Sequence, residues 1–389
     1  MGRWPAPEAG RSGPLVGYRI IEFAGIGPGP FCTQVLGDLG VDVVAIERLE
    51  AGEVMPDRSI DRRSKRSIAI DLKDPRGARI AMQLIGAADA LIEGFRPGAM
   101  ERLGLGPEPC LTRNPKLIYA RMTGWGQTGP LANTAGHDIN YIGLTGALLA
   151  TGQSDRPPPP PLNLVGDFGA GAMLLAVGIL AALLEAGKSG RGQVVDAAIV
   201  DGTALLMGFI RTLDHAGRWS PERSANMLDG GAPFYRCYET SDHGYVSVGA
   251  IEAKFFDRLL ETLEIDRETF GGQWERRSWP AQHDLLAACF ARRTRAEWGE
   301  KFAGVDACVA PVLDYRETVA HPHSRARDAY LDLDAMIQPA PAPRFSRTPP
   351  GPPEPSHPRG ADCREILSEL GFDESDIDGL IAAGVVVAP

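Results

Sequence analysis

The segment YRIIEFAGIGPGPFCTQVLGDLGVDVVAIE at residues 18–47 decides the fold. Its apolar, β-branched runs Tyr18–Phe23 and Asp42–Glu47 predict strands, and Pro30–Leu39 between them predicts a helix. A strand, a helix and a second strand in this order predict parallel strands joined by a right-handed crossover. The segment therefore predicts an α/β fold.

The same alternation of strands and helices continues to about residue 199. It predicts a Rossmann-like large domain over residues 15–198. The further strands are expected at Ser67–Asp71, Ala90–Gly94, Leu117–Met122 and Gln193–Ile199, and the further helices at Pro75–Ala87 and Ala170–Glu185.

A second, smaller domain is expected because 389 residues exceed what one hydrophobic core usually supports. After a connector at 199–235, the stretch FYRCYETSDHGYVSVGA predicts a hairpin that turns at Ser241–Gly244. Together with two helical patterns it predicts an α+β domain over 236–318. These helices are expected at Lys254–Leu263 and Asp284–Arg293.

The two ends of the chain carry different signals. Residues 1–14 have the composition of a disordered tail and lack the apolar run of a signal peptide. The stretch 319–389 begins as a Pro-rich connector and ends in a helical pattern, so we expect it to return to the large domain. We expect a cytoplasmic location.

Composition limits the possible partners. The chain is 44% hydrophobic and 23% charged, with a net charge of −10, which argues against a nucleic-acid or anionic-membrane binder. Its six cysteines are scattered without CxxC spacing, so reduced thiols and no metal site are expected. The uncharged run Phe168–Leu184 is at the short limit for a bilayer span, and a buried core helix is the preferred interpretation.

The glycine loop Gly25–Pro30 allows a dinucleotide-binding interpretation. It follows the first strand, and Glu47 lies twenty residues beyond Gly27, where an acid could bind a ribose. Against this, the last glycine of the GxGxxG pattern is replaced by Pro30, and Arg48 follows the acid. The dinucleotide interpretation is therefore the weaker one.

Three polar residues interrupt apolar segments where chemistry could take place. Asp167 precedes the apolar helix, as either an N-cap or a catalytic carboxylate. His137 is either a packed or capping residue or a base, and Glu252 is either a first-turn acid of the next helix or a catalytic partner. Taken singly, none of the three residues decides between these roles.

A resemblance to a known family favours the catalytic roles. Nearly the whole chain, from about Leu15 to Pro349 and again in its C-terminal tail, resembles the α-methylacyl-CoA racemases of the family III CoA-transferase (CaiB/BaiF) superfamily. The segments that carry the resemblance are YARMTGWGQTGP (119–130), GHDINY (136–141), PLNLVGDF (161–168), GKSGRGQVVDAAIVDG (187–202) and VGAIE (248–252).

The resemblance implies a fold, a reaction and a set of catalytic residues. The fold is that of family III CoA-transferases, assembled as an interlocked homodimer. His137 and Asp167 are implied to be the two bases that interconvert (2R)- and (2S)-2-methylacyl-CoA thioesters through an enolate, and Glu252 is implied to pair with the histidine. Backbone N–H groups around Asp167 are the expected donors to the enolate oxygen. No metal or redox cofactor is implied, because CoA is part of the substrate.

Binding of CoA phosphates requires local cations in this acidic chain. One concentration of cations, which is either a phosphate site or a solvated loop face, consists of Arg58, Arg62, Arg63, Lys65, Arg66 and Lys73. The CoA contacts that the resemblance implies are Arg48, Ile70, Asp71, Leu72, Lys73, Gly94, Phe95, Arg96, Arg102, Gly136, Asp138, Ile139, Asn140 and Tyr141.

Two other functions use the same fold. A family III CoA-transferase would use Asp167 as a nucleophile, but a second proton-transfer residue such as His137 has no evident purpose there. A non-catalytic acyl-CoA-binding protein would not need all three acid/base residues. One departure from the family is Ala253-Lys254 after Glu252, where Pro-Gln is expected.

Overall fold

The computed structural model describes residues 11–50 and 59–389. These residues form two compact units. The larger unit contains the described residues up to Thr145 together with Leu162–Leu206 and Tyr330–Pro389, and the smaller unit contains Gly146–Pro161 and Met207–Ala329.

The elements are numbered in chain order. The strands are β1 Arg19–Phe23, β2 Asp42–Glu47, β3 Lys65–Ile70, β4 Ala90–Glu93, β5 Ile118–Thr123, β6 Gln193–Ala198, β7 Tyr235–Glu239, β8 Tyr245–Gly249, β9 Val309–Val312, β10 Tyr330–Leu333, β11 Met336–Pro339 and β12 Val386–Val387. The α-helices are α1 Pro28–Asp38, α2 Pro75–Gly86, α3 Ala99–Arg102, α4 Pro107–Arg113, α5 Asp138–Leu144, α6 Met173–Ser189, α7 Ile199–Leu206, α8 Gly208–His215, α9 Ala253–Leu263, α10 Arg267–Phe270, α11 Trp279–Phe290, α12 Arg295–Lys301, α13 Pro322–Ala326, α14 Cys363–Glu369 and α15 Glu374–Ala382. A π-helical segment covers Leu164–Ala172, and short 3-10 turns cover Ile60–Arg62, Arg276–Ser278 and Glu317–Val319.

The larger unit is built on a sheet with the strand order β12-β3-β2-β1-β4-β5-β6. The strands from β3 to β6 pair in parallel, and β12 adds to β3 in the antiparallel direction. The strand order reverses at the boundary between β1 and β4, which is where open α/β sheets form a ligand crevice at the carboxyl ends of their strands. The α/β fold predicted from the sequence is confirmed.

The central strands of this sheet are buried on both faces, which explains their nearly continuous apolar runs. Ile21 and Val44 face one core, which is shared with α2 and with the C-terminal helices α14 and α15. The neighbouring residues Ile20 and Val43 face the opposite core, which is shared with α1 and α6. Alternate side chains of one strand therefore stabilise two separate layers.

The C-terminal segment completes the larger unit. Val386 of β12 pairs with Ile70 of β3, and the N–H of Asp71 donates to the Val385 carbonyl at 2.9 Å. Cys363 and Ile366 of α14 are fully buried in the core that contains Ile21.

The smaller unit has the antiparallel sheet β7-β8-β9, whose β7–β8 hairpin turns at Ser241–Gly244. The Thr240 N–H donates to the Gly244 carbonyl at 2.9 Å and closes this turn. An aromatic core that includes Phe234, Phe256 and Phe290 packs the sheet against α9, α11 and α12.

Two predicted boundaries are wrong. Residues 11–14 are not a disordered tail, because the Arg11 guanidinium donates to the Val41 carbonyl at 2.6 Å; residues 1–10 lie outside the described residues. Gly146–Pro161 belongs to the smaller unit, where Arg223 donates to the Arg156 carbonyl at 2.7 Å. Contacts over such distances along the chain leave no trace in a local sequence pattern.

Helix α6, which was predicted to be a buried core helix, is exposed on one face. Leu175 and Ile179 of α6 are fully buried, whereas Val177 and Leu184 on other sides of the helix are 59% and 70% exposed. By length and composition alone, Leu164–Ser189 could cross a membrane, and 39% of its most apolar 18-residue window is buried inside the protein. The segment is therefore a core helix with an exposed apolar surface.

Candidate active site

The glycine loop after β1 lies against Asp167. Gly27 is the N-cap of α1 and has a φ of 76°, which favours glycine. A Cβ atom at Gly27 would lie 3.3 Å from Oδ2 of Asp167, so the absence of a side chain permits the close approach. Next to this contact, the rings of Phe31 and Phe168 lie 4.4 Å apart between centroids.

The acid required by the dinucleotide interpretation is used elsewhere. Glu47 is 5% exposed, accepts a hydrogen bond from Arg62 Nη2 at 2.9 Å, and also accepts one from the Ser67 hydroxyl. A buried carboxylate with these partners does not face a ribose. The structure therefore provides no support for that interpretation.

His137 lies at the start of α5, as its N-cap residue, and its side chain is exposed. The His137 N–H donates to Oδ1 of Asn140 at 3.0 Å, and the Asn140 N–H donates to the His137 carbonyl at 2.8 Å. These two bonds hold the backbone that carries the imidazole.

Asp138 joins α5 to the π-helical segment. It is 8% exposed, and its Oδ2 accepts a hydrogen bond of 2.7 Å from the N–H of Asp167. The carboxylate fits because Gly166 has no side chain; a Cβ atom there would lie 2.2 Å from Oδ2 of Asp138. His137 and Asp167 are thus tied to one another through the residue that follows His137.

Asp167 lies within the π-helical segment, not at the N-cap of an α-helix as the sequence suggests. Burial, followed by the charge of Asp138, raises the pKa of Asp167, while a hydrogen bond with Asn163 and the charge of His137 act in the opposite direction. The carboxyl group is therefore a stronger base than an ordinary aspartate. The charge of His137 thus acts on the ionisation of this carboxyl group, and the role of the two residues as a catalytic pair stays a prediction.

The backbone donors expected near Asp167 are occupied. The Asp167 N–H donates to Asp138, and the Phe168 N–H donates to the Asn163 carbonyl at 3.1 Å. The expectation that these N–H groups stabilise an enolate oxygen is therefore wrong for both. The cause is the π-helical backbone and the buried Asp138 carboxylate, neither of which the sequence revealed.

Tyr141 supports the loop that precedes His137. Its hydroxyl donates to the Gly136 carbonyl, and its ring meets the Trp125 ring edge-on at 4.7 Å between centroids. A Cβ atom at Gly124 would lie 1.9 Å from this ring, so the GWG sequence makes room for it. Burial, and then the charge of Asp167, raises the pKa of Tyr141. Trp125 was not singled out from the sequence, although it lies in one of the segments that carry the resemblance.

The residues expected to contact CoA lie mainly where parallel strands end. Arg48 follows β2, Ile70–Lys73 is the end of β3 and its continuation, and Gly94–Arg96 follows β4. Arg102 is the last residue of α3, while Ile139 and Asn140 are exposed on α5. Ile70 itself is buried in the sheet, Leu72 and Phe95 pack against its core, and the Asp71 carboxylate accepts the Lys73 N–H at 2.9 Å.

Four exposed cations lie at or near this edge of the sheet, and we call them the edge cations. Within residues 11–50 and 59–389, none of the four forms an ion pair. Their charges are therefore available to an anionic ligand. They are Arg48, Lys73, Arg96 and Arg102.

Most of the basic stretch between residues 58 and 73 has another role. Four of its cations, which we call the paired cations, bind acidic partners within the larger unit, while Arg58 lies outside the described residues. The pairs are Arg62 with Glu47, Arg63 with Asp38 at 2.6 Å, Lys65 with Glu22 at 2.7 Å, and Arg66 with Asp42 at 2.9 Å.

Glu252 is the N-cap residue of α9 in the smaller unit, and its side chain is exposed. Its carbonyl accepts the N–H groups of Phe255 and Phe256, both at 3.0 Å. Lys254, which stands where the family pattern predicts glutamine, places its ammonium group 4.5 Å from the centre of the Phe255 ring. The pairing of Glu252 with His137 stays a prediction.

Among the described residues, no group of three or more His, Cys, Asp or Glu side chains could hold a metal ion. The cysteines are free thiols, and four of them are buried.

Comparison with known proteins identifies the family. The family model "CoA-transferase family III" matches residues 15–363. The chain is 45% identical over 366 residues to alpha-methylacyl-CoA racemase of Mus musculus, covering 93% of this chain and 95% of the relative. It is 42% identical over 365 residues to alpha-methylacyl-CoA racemase of Homo sapiens, again covering 93% of this chain and 95% of the relative.

A solved structure shares the fold. The crystal structure of a CAIB/BAIF family protein from Brucella suis superposes with a TM-score of 0.81 at 26% identity, covering 92% of this chain and 100% of that chain. Together with the match over residues 15–363, this confirms the resemblance stated from the sequence: the chain belongs to CoA-transferase family III.

Proposed function

We propose that this protein is an isomerase that interconverts (2R)- and (2S)-2-methylacyl-CoA thioesters. The observation that carries the proposal is the hydrogen bond of 2.7 Å between Asp138, the residue that follows His137, and the backbone N–H of Asp167, which links the segments of the two predicted bases within the larger unit. The identities of 45% and 42% to alpha-methylacyl-CoA racemases support it.

The chemistry requires two groups that exchange protons with one substrate carbon. One group removes the α-proton of the thioester, and the other delivers a proton to the opposite face of the enolate. The raised pKa of Asp167 suits a residue that must receive a proton, because this carboxyl group accepts a proton more readily than an ordinary aspartate. The reaction needs no redox cofactor, since exchange of a proton changes no oxidation state, and we propose that the two side chains move the proton without a metal ion.

The edge cations are proposed to bind the CoA portion of the substrate. Arginine donates to phosphate oxygens through a planar fork, and lysine provides a compact charge. Their place beyond the carboxyl ends of neighbouring parallel strands is the usual ligand edge of such sheets.

A CoA-transferase is the second candidate, because Asp167 could also act as a nucleophile. The histidine next to Asp138 favours racemisation, since transfer of CoA through an aspartyl intermediate uses the carboxylate but needs no opposing base. The two reactions differ in whether an α-proton exchanges with solvent.

Incubation with a 2-methylacyl-CoA in D2O tests the proposal. We expect incorporation of deuterium at the α-carbon, measured by NMR, together with loss of chirality. His137→Ala should lower the rate by about 10²–10⁴-fold, the usual contribution of a general acid/base. CoA transfer to an added carboxylate without α-exchange would instead support the transferase.

We further propose that the protein acts as a homodimer, interlocked as the family resemblance implies. Apolar side chains that are more than half exposed in the single chain support an interface with a second copy. In the larger unit they include Val177, Leu184, Leu205 and Leu206. Light scattering coupled to size exclusion should give twice the chain mass of 41.6 kDa; elution at the single-chain mass would contradict the dimer.

We propose that the protein is cytoplasmic and has no nucleic-acid or membrane partner. The net charge of −10 supports the absence of polyanionic partners. We also propose that Glu252 orients the imidazole of His137. Glu252→Gln should lower the racemisation rate less than His137→Ala, because it removes an orienting charge and leaves both bases. An unchanged rate would exclude Glu252 from the mechanism.

A further inference from the structure

We propose that Asp138 is a positioning residue of this reaction, which holds the backbone of Asp167 and, through its buried charge, sets the base strength of that residue. The inference rests on the proposed function, because Asp167 is a base only if the protein moves an α-proton. It assigns Asp138 a role toward the catalytic carboxylate instead of one toward CoA.

The first support is the hydrogen bond between the two segments. Asp138 is the first residue of α5, and its Oδ2 accepts the N–H of Asp167, 29 residues further along the chain, at 2.7 Å. The N–H of a half-buried residue therefore depends on one side chain for its partner. Loss of that partner would leave the backbone at Asp167 without this restraint.

The second support is the shape of the contact. A Cβ atom at Gly166 would lie 2.2 Å from Oδ2 of Asp138 and 2.9 Å from Cγ2 of Ile142. A carboxylate can reach the Asp167 N–H only because the preceding residue is glycine. The segment is therefore shaped to admit the Asp138 side chain.

The third support is the uncompensated charge. Asp138 is 8% exposed, and its Oδ1 is buried without a hydrogen-bond partner among the described residues. No cation of the described residues forms an ion pair with it. The field of a charge in such a place is weakly screened and acts on the next ionisable group, Asp167.

Among the ionisable groups around Asp167, Asp138 is the acid whose charge raises the pKa of Asp167. The pKa of Asp167 is raised first by burial and then by the Asp138 charge, and His137 acts in the opposite direction. Tyr141 on α5 is a further neighbour, because the Asp167 charge affects its phenol. The other elements packed against the π-helical segment also carry ionisable groups. They are Asp38 of α1, paired with Arg63; Cys32 of α1, a buried thiol; Glu185 and Lys188 of α6, both exposed; Tyr119 of β5, a buried phenol that donates to the Leu105 carbonyl; Arg121 of β5, paired with Glu93; and Asp201 of α7, exposed.

The consequence concerns the balance between the two bases. An ordinary aspartate has a pKa of about 3.9 and an ordinary histidine about 6.5, so a proton would favour the imidazole strongly. A neighbouring negative charge raises the proton affinity of Asp167 and reduces this difference. The enzyme can then alternate between its two protonation states in both directions.

The test compares Asp138→Asn with Asp138→Ala in the full-length protein. The amide oxygen of asparagine can still accept the Asp167 N–H, so Asp138→Asn removes the charge and keeps the position. We expect the acidic limb of its pH–rate profiles, which follows protonation of the Asp167 carboxyl group, to move to lower pH in both directions of racemisation. Asp138→Ala should show the same movement and, since Asp167 is also displaced, a loss of kcat of about 10²-fold with little change of KM.

A titration provides a readout that does not depend on turnover. In protein labelled with ¹³C at the aspartate carboxyl groups, the midpoint of Asp167, assigned by its loss in Asp167→Asn, should fall when Asp138 is replaced by asparagine. Asp373→Asn is the matched control, because Asp373 also accepts a backbone N–H, that of Asp376 at 2.8 Å, at the start of α15. It should leave both the midpoint and the pH profiles unchanged.

The outcomes separate the two proposals. If the parent protein exchanges the α-proton but the Asp167 midpoint and the pH profiles are the same in Asp138→Asn, the inference about Asp138 is wrong. If the parent shows no exchange while the midpoint still falls in the variant, the charge coupling stands and the proposed function fails. If Asp138→Asn does not fold, an unchanged midpoint in a folded Asp138→Ala would overturn the inference.

Discussion

The paired cations and the edge cations of the larger unit have the same chemistry and opposite surroundings. Arg63 is 2% exposed and binds Asp38 through two nitrogens, at 3.0 and 2.6 Å. Lys65 is 5% exposed and reaches both Glu22 and the Pro30 carbonyl, at 2.7 and 2.9 Å. Arg48 and Arg102, by contrast, are exposed, and neither forms an ion pair within the described residues.

The difference shows that the fold consumes some cations in buried ion pairs and leaves others exposed without an ion pair among the described residues. Pairing is favoured for buried cations, because separation of a charge from water costs several kcal/mol per ion. The paired cations therefore connect β3 and the preceding turn to β1, β2 and α1. The edge cations are the ones proposed to bind the CoA phosphates, and mutations should distinguish the two groups.

The largest effect is expected from Arg63→Ala. This change leaves the Asp38 carboxylate, which is 7% exposed, without its cation and also removes the bonds to Gln338 and Pro339. Breaking a buried pair by removing one partner typically costs about 3–5 kcal/mol. Urea unfolding should show this loss in the free energy of unfolding, whereas Arg102→Ala should unfold like the parent. A stable Arg63→Ala variant would show that the pair is not structural.

An intermediate effect, on the free energy of unfolding, is expected when the pH is lowered. Burial opposes ionisation of Asp42, but Arg66 and Arg19 together hold its pKa below the ordinary 3.8. A depressed carboxyl pKa contributes stability that is present above 3.8 and is lost as the pH falls through the lower, folded-state value. Asp42→Asn should therefore be less stable than the parent at pH 7, and the difference should shrink below about pH 4. A constant difference across this range would contradict the assignment.

The smallest effect on stability is expected from Arg102→Ala. This variant should instead weaken binding of the acyl-CoA substrate. A charge-assisted bond contributes about 1.5–3 kcal/mol, so KM for a 2-methylacyl-CoA should rise by about tenfold or more, with kcat nearly unchanged. The increase should diminish at high salt, since exposed charges are screened. Arg364→Ala is the control, because Arg364 is an exposed arginine on α14 that pairs with Glu374 and Asp378. Equal KM values in the two variants would remove Arg102 from the CoA site.

Much of the fold was predictable because its signals are local. Each central strand, such as β1 or β2, is buried on both faces and reads as a short apolar run, and each helix between them has its own periodicity. The proposed catalytic pair could be predicted only on other grounds. His137 and Asp167 were ambiguous as single residues, and only the resemblance of their flanking segments pointed to catalysis.

The features that could not be predicted depend on contacts between residues that are distant in the chain. The role of Asp138 follows from an N–H 29 residues away, and the division between paired and edge cations follows from acids such as Asp38 and Glu22, which lie 25 and 43 residues from their cations. The π-helical backbone around Asp167 has no simple sequence signature. Such contacts arise when separate elements pack, so no local pattern contains them.

The sequence by itself determined the α/β order of elements, the family, and the acid/base residue types that the proposed reaction needs. Periodic burial and flanking motifs are properties of consecutive residues, and they can be read without coordinates. Only the tertiary structure decided which charges are buried in pairs, which remain at the edge of the sheet, and which carboxylate acts on Asp167. Electrostatic free energy depends on distance and desolvation, and both are set when the elements pack together.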